Sequence, residues 1–167
     1  KVLLPIVRQL SSIDIIITRL QKSRSVEKII IATTFNAADD RLCQHIEKSF
    51  PEVEINRGPE DDVLARFSKA TKNLGGDATI IRITADCPLV DPELLDKMLE
   101  LFSISQVDYL SNTIYPSFPD GFDIEIFKNE KLLEANELAK HPYDREHVTP
   151  FLKETYKTYN YSNELGD

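Results

Sequence analysis

Residues 80–92, IIRITADCPLVDP, decide how the rest of the chain is read. Together with Ala78 and Thr79, the run up to Thr84 is short, apolar and rich in β-branched residues, has no helical stripe and begins after Gly75-Gly76. Those features predict a buried strand. Asp86 follows just past its carboxyl end, where open α/β sheets place their ligand crevice. Asp91-Pro92 then reads as an N-cap with proline at the first helical position. The unit is strand, acidic loop, helix. By itself Asp86 equally suits a turn closed by an aspartate bonded to its own backbone, so the flanking chain has to decide.

Upstream, the same alternation recurs. Residues 1–7 are apolar around Pro5 and predict a short extended segment. Ser11 or Ser12 caps a helix whose Ile13, Ile16, Ile17 and Leu20 fall on one stripe. KIIIAT, residues 28–33, has the look of a central strand with both faces covered. Leu42, Ile46 and Phe50 repeat at helical spacing from Asn36 until Pro51, and Cys43 and His45 within that helix read as packing residues. Residues 53–56 form a short strand. Arg57-Gly58-Pro59 turns the chain, Glu60, Asp61 and Asp62 load a helix N-terminus, and Val63, Phe67, Ala70 and Leu74 mark its buried side.

Downstream, Leu94, Leu95, Met98, Leu99 and Phe102 give the next helix stripe, and residues 108–111 a strand. Residues 115–121, YPSFPDG, are rich in turn formers and aromatics. Exposed aromatics at Tyr115 and Phe118 suit either a homodimer contact or a lid over a substrate. FDIEIF, residues 122–127, alternates, with Phe122, Ile124 and Ile126 on one face and Asp123 and Glu125 on the other. A helix over residues 129–140 carries Leu132, Leu133 and Leu138 inward, a short helical or turn segment spans 145–152, and a last strand lies near 157–161. Strands alternating with helices predict an α/β fold with a mostly parallel sheet.

The composition bounds the partners. At 167 residues with 41% hydrophobic and 29% charged, the chain fits one globular domain with a real core. Acidic residues outnumber basic ones, 28 to 20, for a net charge of -8, which speaks against nucleic acid. A phosphorylated small ligand bridged by a divalent metal suits such a surface better. Cys43 and Cys87 form no disulfide framework or Cys-x-x-Cys pair. With no membrane-spanning run and no signal peptide in view, the expected location is cytoplasmic.

Asp86, Asp123 and Glu125 ask for a chemical account. If the strand carrying Asp123 lies beside the strand before Asp86, their oxygens converge on a hard cation such as Mg2+ that also binds substrate phosphates, favouring phosphoryl or nucleotidyl transfer. Asp123 and Glu125 equally suit the solvated face of a half-buried strand.

The motifs IIIATT, RGPEDDVLARF, RITADCPLVDP, DYLSNT, FPDGFDIEIF and REHVTPF, in this order, resemble the cytidylyltransferase family of spore-coat polysaccharide biosynthesis proteins. That family is similar to the acylneuraminate and ketodeoxyoctonate cytidylyltransferases. The resemblance covers nearly the whole chain. It implies a Rossmann-like three-layer sandwich of the nucleotide-diphospho-sugar transferase type. The implied activity is Mg2+-dependent transfer of a cytidylyl group from CTP to an acidic or modified sugar, giving a CMP-sugar and pyrophosphate. On the same comparison Asp86 is a nucleotide-site and metal residue, and Asp123 with Glu125 completes the metal site. Arg57 and Asp62 lie near the nucleotide, and Arg145 and His147 near the sugar or phosphates, as catalytic candidates with Lys1.

The resemblance also sets an expectation about what is missing. Family chains begin with a strand and a basic, glycine-containing phosphate loop, of which only Lys1 stands here, and they continue past Asp167. Residues 1–167 thus read as one nucleotidyltransferase domain lacking its phosphate-loop strand and its tail. Two other readings are a metal-dependent glycosyltransferase of related fold and a non-catalytic nucleotide-binding module.

Overall fold

The computed structural model describes residues 2–163. Its contacts divide the chain into two compact units. The first takes the chain up to Glu27, then Ile80–Phe127, then the chain from Lys157; the second takes Lys28–Thr79 and Lys128–Tyr156.

In the first unit a hairpin of β1 (Pro5–Val7) and β2 (Leu10–Ser11) turns through Arg8 and Gln9, both at positive φ, 46° and 75°. Ser11 then caps α1 (Ser12–Leu20) in a reciprocal capping box with Asp14, and the expected stripe of Ile13, Ile16, Ile17 and Leu20 is buried. The four-stranded sheet runs β5 (Thr79–Arg82), β7 (Glu125–Lys128), β6 (Tyr109–Ser111), β8 (Thr158–Asn160). Thr79 and Lys128 mark two of the chain's passages between the units. β6 pairs antiparallel with β7 and parallel with β8, so this sheet holds both kinds of pairing. Asp91 caps α4 (Pro92–Ile104) with proline at its start, as the sequence predicts, and Leu95, Met98 and Phe102 fill its inner face.

The position of β7 corrects the alternation read in FDIEIF. Ile124, Glu125, Ile126 and Phe127 are buried in succession, because β7 lies between two other strands with both faces covered. Asp123 stays exposed in the segment leading into it.

The second unit holds a parallel pair, β3 (Ile30–Thr34) and β4 (Glu54–Gly58), in register from Ile30 opposite Glu54 to Thr34 opposite Gly58. β3 is only partly covered, and among the described residues β4 is its one hydrogen-bonded neighbour, so it is not the doubly covered strand expected. A 3-10 turn leads into α2 (Asp40–Ser49). Asp62 caps α3 (Val63–Thr71), whose buried side is Leu64, Ser68 and Thr71, one position round from the expected stripe. The apolar pattern there is too weak to fix the facing, and packing against α5 (Asn129–Leu138) sets it. Fully buried Asn129 fastens the two helices, its amide donating to the Thr71, Leu74 and Gly75 carbonyls at 3.1 to 3.2 Å. Leu138, expected inside, is 53% exposed because α5 ends there. Two one-and-a-half-turn helices, α6 (Pro142–His147) and α7 (Pro150–Thr155), close the unit. Among the described residues no helix is long and apolar enough to cross a membrane.

Candidate active site

At the carboxyl end of β5 the chain passes Ile83 and Thr84 and presents Asp86 to solvent. Thr84 donates its hydroxyl to Asp86 Oδ1, and that bond, foremost among several effects, holds the carboxyl below its ordinary range. From α1, the Ser12 hydroxyl grips the Ala85 carbonyl at 2.6 Å and fixes the loop from the other side. A neighbouring loop arrives through Gly121, whose carbonyl accepts from Leu89 N at 3.0 Å. Gly121 has φ +94, a backbone conformation that glycine adopts without strain.

Asn112 completes the frame. Its amide donates to the Phe122 carbonyl and its oxygen accepts from Ile124 N, each at 2.9 Å, so the backbone on both sides of Asp123 is pinned by one side chain. Asp86 and Asp123 thereby flank the buried Cys87 sulfur, which receives the Asp123 backbone N–H and feels both carboxylate charges. Burial, reinforced by those charges, pushes the thiol up, so it stays protonated at neutral pH.

Glu125 does not join them. It is 6% exposed, and its Oε2 takes Arg82 Nη1 while its Oε1 takes the Tyr109 hydroxyl at 2.6 Å. The trio of carboxylates expected from the sequence is therefore reduced to a pair, since the interior strand position that buries Glu125 also supplies its cation. Among the described residues no group of three His, Cys, Asp or Glu side chains is placed to hold a metal ion. Two exposed carboxylates still fit a hard cation that completes its shell with water and phosphate oxygens.

Arg57, Asp62, Arg145 and His147 lie in the second unit, and most of them are committed to the scaffold. Arg57 donates Nε to the Thr34 carbonyl, Nη2 to the Asn36 carbonyl and Nη1 to Asp40 Oδ1, all at 2.7 Å. It ties the ends of β3 and β4 together. Asp62 caps α3 through Oδ1 and receives Arg145 through Oδ2. Arg145 also reaches the Asn136 carbonyl and side chain, so it joins the start of α3 to the end of α5. His147 is exposed, stacked edge-on against Tyr143 at 4.4 Å, and leads into Val148 at φ 72. Lys1 lies outside the described residues.

Sequence reasoning missed Arg82, Tyr109, Asn112 and Ser12. One signal was readable: an arginine inside the apolar run IIRIT needs a buried counter-charge.

The cytidylyltransferase family profile matches residues 1–166. The chain belongs to the cytidylyltransferase family. Among its relatives is the spore coat polysaccharide biosynthesis protein SpsF of Bacillus subtilis, 33% identical over 147 residues, covering 84% of the chain and 58% of SpsF. The structure of a cytidylyltransferase from Leptospira borgpetersenii superposes with a TM-score of 0.89 at 32% identity, covering 98% of this chain and 69% of that one. CMP:2-keto-3-deoxy-manno-octonic acid synthetase complexed with CTP superposes at 0.69 with 14% identity, covering 98% and 83%, a likeness of fold. The fold is α/β, of the nucleotide-diphospho-sugar transferase type. The chain spans a little over half the length of the curated relatives it matches, 56% and 58%.

Proposed function

We propose that the protein carrying this chain is a Mg2+-dependent cytidylyltransferase that transfers the cytidylyl group of CTP to the hydroxyl of an acidic or modified sugar, in the cytoplasm, for surface polysaccharide synthesis. The observation that carries the reading is the exposed pair Asp86 and Asp123 past the carboxyl end of β5, in a chain that belongs to this family. The SpsF relative supports the polysaccharide role, and the octonic acid synthetase supports CTP with an acidic sugar.

In the reaction the sugar oxygen forms a bond to the α-phosphorus of CTP while the bond from that phosphorus to the bridging oxygen breaks. Pyrophosphate leaves and the hydroxyl proton passes to solvent. Asp86 and Asp123 are the residues that would hold the metal, which when bound neutralises charge on the phosphate oxygens. Thr84 keeps Asp86 ionised and aimed, Asn112 fixes the backbone of Asp123, and Ser12 holds the loop between strand and metal site. Within the second unit, Arg57 and Asp62 brace the segments that follow β3 and β4.

The test is pyrophosphate release by the full-length protein with each nucleoside triphosphate, Mg2+ and a panel of acidic and amino sugars, run beside Asp86→Ala. Release confined to CTP and lost in the variant supports the reading. A glycosyltransferase would instead consume a nucleotide-sugar without pyrophosphate, and a binding module would take up CTP without turnover.

A further inference from the structure

Arg82, Glu125 and Tyr109 stand on three adjacent strands of the first unit, β5, β7 and β6, with β7 in the middle. Glu125 is almost wholly buried and Tyr109 fully so. One Glu125 oxygen takes Arg82 Nη1 and the other takes the Tyr109 hydroxyl at 2.6 Å, so a single carboxylate ties its strand to the neighbour on either side. The Tyr109 ring is held in turn, stacked at 6.2 Å between centroids on Phe127, its partner across the β6–β7 pair.

Stability alone gives such a triad no advantage, because apolar side chains of similar volume fill an interior as well or better without the cost of desolvating charge. What the triad supplies is direction. Charge-assisted hydrogen bonds hold their partners at a fixed separation, whereas apolar burial is non-directional. The triad also lies close behind the candidate metal site: Arg82 precedes Asp86 by four residues where the chain leaves β5, and Glu125 follows Asp123 by two at the start of β7. The two segments that carry those carboxylates meet at Cys87, whose sulfur lies 3.7 Å from Asp86 Oδ1 and receives the Asp123 backbone N–H. Thr84 braces Asp86 and Asn112 braces the backbone of Asp123, but neither side chain joins β5 to β7. The Arg82–Glu125 pair does. We infer that Arg82, Glu125 and Tyr109 are positioning residues that set the spacing of Asp86 and Asp123, the two carboxylates that would hold the metal. The inference rests on the metal site named under the proposed function and gives Glu125 a role behind that site in place of one within it.

Mn2+ binding to the full-length protein, read from the electron paramagnetic resonance of the free ion, is measured for wild type, Asp86→Ala, Tyr109→Phe and the double variant Arg82→Met with Glu125→Leu, beside urea denaturation of each. The double variant exchanges the ion pair for apolar side chains and is expected to keep a cooperative urea transition near the wild-type one. Its Mn2+ affinity is expected to fall about tenfold or more, as when groups that orient metal ligands are removed. Tyr109→Phe, which keeps the ion pair, is expected to lose about threefold. A purely structural role would move urea midpoint and metal affinity together, whereas a positioning role separates them. A folded double variant that binds Mn2+ within about twofold of wild type overturns the inference. Should that variant fail to fold, Tyr109→Phe decides, and an unchanged affinity there overturns it. Affinity lost in Asp86→Ala but kept in the double variant removes the triad's role and leaves the proposed function standing. Equal Mn2+ affinity in wild type and Asp86→Ala removes the metal site itself and the inference with it.

Discussion

Arg145 grips one oxygen of Asp62 with two nitrogens, Nε at 3.1 Å and Nη2 at 2.5 Å, while the other Asp62 oxygen caps α3. Two residues that the family resemblance put near the substrate are thus partners of each other. Both are partly exposed, so their pairing is worth less than a buried one. Arg145→Lys, which cannot span Asp62 and Asn136 together, is expected to cost about 1–3 kcal/mol. A double-mutant cycle with Asp62→Ser, chosen to keep a capping oxygen, should give a coupling of about 1 kcal/mol in urea denaturation. Strict additivity would dissolve the pair as a structural unit.

Arg82 and Glu125 form the interior counterpart. Removing the carboxylate takes the ion-pair partner from a guanidinium whose side chain is 15% exposed, and Glu125→Ala is expected to destabilise by about 3–5 kcal/mol. Replacing both, as Arg82→Met with Glu125→Leu, should recover most of the loss, because the desolvation cost of the pair disappears with it. Thermal unfolding decides: a double variant less stable than Glu125→Ala contradicts this account.

Asp39 gives the chain an acid-sensitive element. Its Oδ2 accepts from the Thr34 hydroxyl at 2.6 Å, the Thr33 hydroxyl at 2.7 Å and Thr34 N at 3.0 Å. The Thr34 hydroxyl leads the effects that hold its carboxyl below 3.8, against an opposing contribution from burial. A folded value below the unfolded one means stability that is fully present above the unfolded value and is lost as pH falls through the folded one. Asp39→Asn should therefore be destabilised at pH 7 by about 1–3 kcal/mol, with the gap to wild type closing below about pH 4. A gap that stays constant from pH 7 to pH 3 in denaturant titrations would rule this out.

Gly121 is the residue on which the approach of the Asp123 segment turns. At φ +94 an alanine pays about 1–2 kcal/mol of backbone strain, although its Cβ would meet Leu89 only at ordinary contact distance. Gly121→Ala should lower the melting temperature and, on the proposed function, reduce turnover more than CTP binding, since Asp123 shifts relative to Asp86. Unchanged melting and kinetics would show that the turn tolerates a side chain.

The sequence alone determined the α/β class, the capped helices and the exposed loop carrying Asp86. These follow from local chemistry: a short β-branched run, an Asp-Pro helix start and a serine cap each act within a few residues. It also showed the family through the order of its motifs. What it could not rank was which carboxylate faces water. In FDIEIF, Asp123 and Glu125 share a parity, and parity separates them only if one face of the strand is exposed. Neighbours on both sides of β7 bury Glu125 against Arg82 and Tyr109 and leave Asp123 outside. Arg145 and Asp62 are 83 residues apart, so no local pattern could pair them. Local pattern fixes which elements form, whereas the partner of a charge depends on which elements packing brings beside it.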